Sequence, residues 1–252
     1  MTEPISWSVR ARNLPEHARN PIHTDEGGRA AGFDAALVAG VTVYAYLTRP
    51  IVEAWGEGWL RRGGAHVEFH APVQADDRVD CVPVVVDGAT EVRATVNGEV
   101  RARCTAWSTA PETTGPRGPL DEPLERRQVQ LTGDWDGYGQ RAGDDLALYP
   151  ESGIVHPAVW PALANGFVHD HLAVGSWVHT RSRICHRDIA RVGDVATVDA
   201  TVVDRFDTRS GTRAVLDVRI SVGGAPVATI EHEAIVVLHP SGPLPGPDDA
   251  ES

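Results

Sequence analysis

A short loop near the N-terminus contains the residues best suited to chemistry. It reads Asn20-Pro21-Ile22-His23 and precedes an apolar segment that contains Gly40. Proline stiffens the loop and so restricts the direction of the His23 imidazole, a common general acid and base. Backbone N–H groups at a helix start bind developing negative charge, and Gly40 lets an atom approach that backbone closely. The pattern predicts an acid–base centre beside an apolar channel, suited to a thioester with an apolar chain.

The elements that must position this loop show clear periodicity. Residues 35–47 are apolar and uncharged, which favours a helix buried on all sides over the alternative of a buried strand. Alternating patterns predict strands over residues 6–12, 65–73, 78–86, 90–96 and 99–108. Two pairs between these strands, Asp87-Gly88 and Asn97-Gly98, are typical of tight hairpin turns.

The second half repeats this plan. Strands are predicted over residues 127–131, 177–184, 195–206, 213–222 and 226–238, with an apolar helical segment at 157–174. Residues 69–79 resemble residues 185–195 if one inserted residue is allowed. We therefore expect an α+β fold of two antiparallel sheets, each wrapped around its own apolar helix and joined edge to edge. The predicted boundaries are 1–110, a linker at 111–127, 128–239, and a disordered acidic tail at 240–252.

The loop resembles the hydratase motif of MaoC-like dehydratases and R-specific enoyl-CoA hydratases. The residues that match, in order and spacing, are Asn20-Pro21-Ile22-His23, Ala30-Ala31-Gly32-Phe33 and Gly40. The resemblance implies a double hotdog fold and a hydro-lyase that acts on an acyl thioester of coenzyme A or acyl carrier protein, without a metal or other cofactor. It implies that His23 and Asn20 are catalytic and that the backbone at Gly40 polarises the thioester carbonyl. The second half resembles the half of such proteins that lacks the motif.

One position departs from the family pattern. The family has an aspartate five residues before the histidine, and this chain has Ala18 there. Local groups that we expect to assist His23 or to bind substrate are Glu16, His17 and Asp25, while Asp144 or Asp145 can reach in from the second half. Two alternatives to a hydratase stay open. One is a catalytically silent protein that binds acyl thioesters, and the other is an acyl-CoA thioesterase.

Further basic and metal-binding candidates lie in the second half. Arg181 and Arg183 alternate on a predicted strand, so they share a face and are candidates for binding the phosphates of coenzyme A. A solvated sheet face is the favoured alternative explanation for both. His169 and His171 are two residues apart and do not share a face of a regular helix, so we expect no metal site there.

Composition excludes several other classes. The chain has 23 basic residues, all arginine, against 35 acidic ones, which gives a net charge of −12. An acidic chain without basic runs is not expected to bind nucleic acid or anionic membranes. No apolar run is long enough to span a bilayer, and the first residues lack the pattern of a secretory signal. Cys81, Cys104 and Cys185 lack disulfide or zinc spacing, so we expect reduced thiols in a cytoplasmic protein. A homodimer is a further expectation.

Overall fold

The computed structural model describes residues 2–111, 118–121 and 123–239. Ten strands form one antiparallel sheet. Those of the first half are β1 (Trp7–Arg10), β2 (Gly64–Phe69), β3 (Arg78–Val86), β4 (Ala89–Val96) and β5 (Glu99–Trp107). Those of the second half are β6 (Arg127–Gln130), β7 (Val178–His186), β8 (Val195–Thr208), β9 (Gly211–Val222) and β10 (Ala225–Leu238). The predicted tail at 240–252 and part of the predicted linker lie outside the described residues.

The two halves have the same strand order. The first half runs β1-β3-β4-β5-β2, and the second half runs β6-β8-β9-β10-β7. The halves meet where β2 pairs antiparallel with β7, with Gly64 opposite Cys185 and Glu68 opposite Arg181. The edge-to-edge join expected from the duplicated pattern therefore exists, and it makes one continuous sheet.

The turn that repeats in the sequence also repeats in its hydrogen bonds. In the first half the Gln74 backbone N–H donates to an Asp77 carboxylate oxygen at 2.8 Å. In the second half the Arg191 backbone N–H donates to an Asp194 carboxylate oxygen at 2.8 Å. The residue before each aspartate has a positive φ, at 68° for Asp76 and 95° for Gly193. In the structure Gln74 corresponds to Arg191 and Asp77 to Asp194, with no inserted residue between them. The local alignment predicted from sequence was therefore shifted by one position.

Five α-helices lie in the described part of the chain: α1 (Asp25–Ala30), α2 (Gly40–Arg62), α3 (Tyr138–Ala142), α4 (Leu148–Ser152) and α5 (Val159–Phe167). Helix α2 packs against the strands of the first half and against β7, whereas α5 packs against β7, β8, β9 and β10. Residues 41–48 of α2 are all buried, which explains their uncharged sequence. No helix in the described residues is long and apolar enough to cross a membrane.

The helix boundaries differ from the prediction at both central helices. The segment before Gly40 is extended because Leu37 bridges to Gln74 and the Val38 N–H bonds the Val73 carbonyl at 2.8 Å. Helix α2 then continues to Arg62 across a kink at Gly56, whose φ is 61°. In the second half, α5 is followed by one turn of π-helix at Val168–Leu172. Cys81, Cys104 and Cys185 are buried free thiols, and burial raises the pKa of each.

Candidate functional site

The motif loop is held by its own hydrogen bonds. Asn20 caps a turn of 3₁₀-helix at Pro21–His23, with Pro21 at the first position, and its side-chain oxygen accepts the Ile22 N–H at 3.3 Å. The His23 Nδ1–H donates to the Leu37 carbonyl at 2.8 Å. This bond leaves Nε2 as the basic nitrogen of the neutral ring. The local sequence therefore fixes both the position of His23 and its tautomer.

Two cavities meet at this loop. The first, which we call the Gly40 cavity, has a volume of about 70 Å³ and is lined mainly by apolar side chains, together with Gly40, His70, Arg101 and His179. The second, which we call the His17 cavity, has a volume of about 240 Å³ and is lined by more charged groups, including Glu16, Arg19, Arg127 and Asp134. Four residues line both cavities: Asn20, His23, Asn165 and Trp177. His23 thus stands at their junction.

Burial keeps His23 in its neutral form at pH 7. Burial lowers the pKa of His23 below 6.5, although its hydrogen bond to the Leu37 carbonyl opposes this effect. A neutral imidazole with a lone pair on Nε2 is a competent general base. The first residue of α2, Gly40, lines the same cavity as the His23 ring.

Asn20 connects the two halves. Its side chain is 4% exposed; its Nδ2 donates to the Trp177 carbonyl at 2.9 Å, and its Oδ1 accepts the Trp177 N–H at 3.4 Å. With the Ile22 bond, these contacts engage both ends of the amide. The geometry gives Asn20 the role of holding the loop against the second half.

His17 also lies beside His23. The two ring centroids are 6.1 Å apart, and both residues line the His17 cavity. His17 Nε2 bonds the Tyr138 hydroxyl at 2.9 Å, and that hydroxyl bonds the Thr42 hydroxyl at 2.9 Å. Burial, with smaller contributions from His23 and Arg141, lowers the pKa of His17 to about 3. His17 is therefore neutral in the site.

The acidic candidates are engaged elsewhere. Glu16 lines the His17 cavity but pairs with Arg141 at 2.7 Å. Asp25 is exposed, accepts the Ala36 N–H at 3.2 Å and lines neither cavity. The two acids expected from the second half pair with other side chains: Asp144 with His156 at 3.2 Å, and Asp145 with Arg49 at 3.0 Å. Ala18 is exposed and lines neither cavity.

The predicted phosphate-binding arginines also lie away from the cavities. Arg181 pairs with Glu233 at 2.7 Å, and Arg183 is exposed beside the Trp107 ring, 5.4 Å from its centroid. Neither arginine lines the Gly40 cavity or the His17 cavity.

Several residues that line the cavities were not predicted, most of them from the second half. Two basic residues, Arg19 and Arg127, line the His17 cavity and share Asp170, at 2.5 and 2.8 Å. Asn165 is the one strongly polar residue within the apolar helix α5, and that contrast is a signal that the sequence contained. Among the described residues, no group of three or more His, Cys, Asp or Glu side chains is arranged to hold a metal ion.

Comparisons with known proteins agree with this architecture. Residues 16–108 match the family model described as a MaoC-like domain. A conserved hypothetical protein from Mycobacterium tuberculosis, described as having a double hotdog fold, is 11% identical with a TM-score of 0.64; the match covers 93% of this chain and 96% of that one. A protein described as a MaoC-like dehydratase is 15% identical with a TM-score of 0.57, over 94% of this chain and 98% of the other.

A candidate oleoyl thioesterase from Lactobacillus plantarum has the same architecture, with 11% identity, coverage of 95% and 97% of the two chains, and a TM-score of 0.54. No protein of curated function matches the sequence. At these identities the structural likeness shows the fold alone. The structural likeness and the duplicated sheet show that this chain has a double hotdog fold, in which residues 16–108 match the MaoC-like domain model.

Proposed function

We propose that the protein is an R-specific enoyl-thioester hydratase, which also catalyses the reverse dehydration of a 3-hydroxyacyl thioester. The observation that carries the proposal is the setting of His23. Its Nδ1–H is fixed on the Leu37 carbonyl, its ring is neutral, and it lines both cavities, one of which is also lined by the first residue of α2. These are the requirements for one base to serve a thioester whose carbonyl is polarised by a helix start.

The reaction needs one proton to be moved twice. The thioester carbonyl accepts hydrogen bonds from backbone N–H groups in the first turn of α2, at Gly40 and Val41. These N–H groups have no hydrogen-bond acceptor within the helix. His23 Nε2 takes a proton from water while the water oxygen bonds to the β-carbon. Electrons of the double bond shift to the α-carbon and the carbonyl, and the α-carbon then takes the proton from Nε2. Because the same imidazole serves both carbons, the proton and the hydroxyl add to one face.

The two cavities suit the two ends of such a substrate. The small and mainly apolar Gly40 cavity suits the acyl group. The larger His17 cavity suits the carrier arm, because it is lined by polar groups that include Arg19 and Arg127. Those guanidinium groups can also meet phosphate, a role that sequence reasoning assigned to Arg181 and Arg183.

The test is hydration of crotonyl-CoA, followed by loss of enoyl absorbance with thiol release measured in parallel. The variant His23→Ala is expected to lower kcat by about 10²- to 10⁴-fold, because it removes the general base. The matched control is His66→Ala, since His66 lines neither cavity. Hydration that survives His23→Ala would refute the proposal.

Two other outcomes would identify the alternatives. Thiol release without hydration would favour a thioesterase, in which the same base directs water to the carbonyl carbon. Binding of crotonyl-CoA without either reaction would favour a silent acyl-thioester-binding protein. Each result overturns the hydratase and leaves the fold unchanged.

A further inference from the structure

A chain of three buried polar side chains joins β7 and β10. His179 Nε2 lies 2.8 Å from the Ser182 hydroxyl oxygen, which lies 2.8 Å from His232 Nδ1. The two imidazole centroids are 4.3 Å apart. All three residues are buried, with His179 the most exposed at 6%. The mechanism described above does not use this cluster.

One end of the chain opens on the catalytic cavity. His179 lines the Gly40 cavity, as does His23, and its Nδ1 is buried without a hydrogen-bond partner among the described residues. A Cβ atom added to Gly40 would lie 3.2 Å from this nitrogen. The Phe69 ring, 4.7 Å away between centroids, packs beside the imidazole. A buried polar atom left in this state costs free energy unless a ligand or water satisfies it.

The surroundings decide which nitrogen of His179 carries the proton. Burial, with a contribution from His232, lowers the pKa of His179 well below 6.5, so the ring is neutral. The Arg181 backbone opposes that shift. A proton on Nδ1 would be a buried donor without a partner in the described part of the chain, whereas a proton on Nε2 is shared with Ser182, so the geometry favours the tautomer with the proton on Nε2. Ser182 then accepts from Nε2–H and donates to His232 Nδ1, which leaves a lone pair on His179 Nδ1.

We propose that His179 is a second catalytic residue, supplied by the half that lacks the motif, whose Nδ1 accepts a hydrogen bond from the nucleophilic water. The proposal rests on the hydratase function. Water has two protons: one goes to His23 Nε2, and the other is held by His179 Nδ1, so that an oxygen lone pair faces the β-carbon. In the reverse direction the same nitrogen accepts a hydrogen bond from the 3-hydroxyl group before that group leaves as water.

This assignment answers the departure at position 18. The family pattern places a carboxylate there as a second acceptor for water, and this chain has an exposed alanine. His179 supplies an acceptor within the cavity that His23 also lines. It stays uncharged, so it needs no counter-ion in an apolar cavity. No proton is transferred to His179, and the proton balance of the reaction is unchanged.

The test compares two variants that each keep one nitrogen position. His179→Asn keeps an acceptor near Nδ1 and loses the contact with Ser182, whereas His179→Gln keeps a polar atom near Nε2 and loses the acceptor in the cavity. We expect His179→Gln to lower kcat for crotonyl-CoA hydration by about 10- to 10²-fold with little change in KM, and His179→Asn to recover most of that loss. The matched control is His186→Gln, because His186 is buried on the same strand but lines neither cavity.

A binding measurement separates this proposal from the hydratase itself. In a His23→Ala background, which prevents turnover, calorimetry would compare 3-hydroxybutyryl-CoA with butyryl-CoA. A hydrogen bond from the 3-hydroxyl group to Nδ1 favours the hydroxylated ligand by about tenfold, and His179→Gln should abolish this preference. If hydration is absent but the preference is present and lost in His179→Gln, the hydratase fails and the hydroxyl site stands.

The opposite results would overturn the role of His179. These are a preference that persists in His179→Gln, equal losses in His179→Asn and His179→Gln, or no binding of either ligand to the parent protein. If His179→Gln does not fold, Ser182→Ala serves instead, because it removes the contact that keeps the proton on Nε2 and so lets Nδ1 take the proton and lose its acceptor lone pair. Loss of preference in Ser182→Ala supports the proposal, and an unchanged preference overturns it.

Discussion

The buried histidines predict that acid unfolds this protein well before its carboxylates are protonated. Burial lowers the pKa of three of them, His17, His186 and His232, to about 3. Their pKa in the unfolded chain is about 6.5. The unfolded chain therefore binds more protons than the folded protein between pH 6.5 and pH 3, and stability falls as the pH decreases through 6.5.

The size of the effect follows from these shifts. Each proton that the unfolded chain binds and the folded protein does not lowers the free energy of unfolding by about 1.4 kcal/mol for each pH unit of decrease. Because the unfolded histidine is only half protonated at pH 6.5, the loss between pH 6.5 and pH 5.0 is about 1.6 kcal/mol for each histidine, or about 5 kcal/mol for three. The pKa values of His23 and His179 are also lowered by burial, so they act in the same direction. Typical domains are stable by only about 5–15 kcal/mol, so much of the stability should be lost.

The carboxylates act in a different window. Two arginines and Thr180 hold the pKa of Glu233 below its ordinary value of 4.5 against the effect of burial. Its stabilising contribution is present above that value and is lost only as the pH falls further. The range from pH 6.5 to pH 5.0 therefore reports the histidines.

The measurement is urea unfolding at half-unit steps from pH 7.5 to pH 5.0. The slope of the unfolding free energy against pH gives the number of protons taken up, and we expect about three to five at the lower end. His186→Phe should lower this number by about one, because neither ring nitrogen of His186 has a partner in the described residues and the ring packs on Trp59 at 4.7 Å. Trp59→Phe is the control, since it lowers stability at every pH without removing a titrating group. Uptake of less than one proton would refute the reasoning.

Three further predictions concern the site. Gly40→Ala should lower kcat by about 10²-fold, because the new methyl group would lie 3.2 Å from His179 Nδ1 and displace a reacting group; unchanged kinetics would contradict this placement. Asn20→Ala should cost about 1–3 kcal/mol in urea unfolding, because it leaves the Trp177 N–H and carbonyl unpaired. Ala18→Asp should leave crotonyl-CoA hydration unchanged within about twofold, because Ala18 is exposed and lines neither cavity, and a tenfold rise would contradict this placement.

Local patterns in the sequence were sufficient for most of the sheet. Alternation of apolar residues depends on neighbours along the chain, and the turns at Asp87-Gly88 and Asn97-Gly98 adopt the positive φ that such pairs favour. The strands are accordingly found where they were predicted, within a few residues. Helix α2 was predicted too short because Pro50 and the charged residues beyond it interrupt the apolar run, although its buried face continues to Trp59 and Leu60.

The start of α2 and the site were harder to predict, because both depend on contacts between distant segments. Residues 35–39 have a helical composition, but the bridge between Leu37 and Gln74 holds them extended. His23 and Asn20 could be named as candidates because their motif is local. His179 and Asn165 reach the cavity only because β2 pairs with β7, and nothing in the sequence states which strand edges meet.

The duplicated fold creates two related positions, and in the described residues the second is occupied by its own side chains. In the second half, the place before α5 is filled by His156, which donates from Nε2 to Asp144 and accepts the Ala158 N–H at Nδ1. Tyr138 lies beside this pair and extends its hydroxyl to His17 and Thr42. The half without the motif therefore has a structural reason for its different sequence. Its polar residues fill the position before α5, and Tyr138 hydrogen-bonds His17 in the site of the first half.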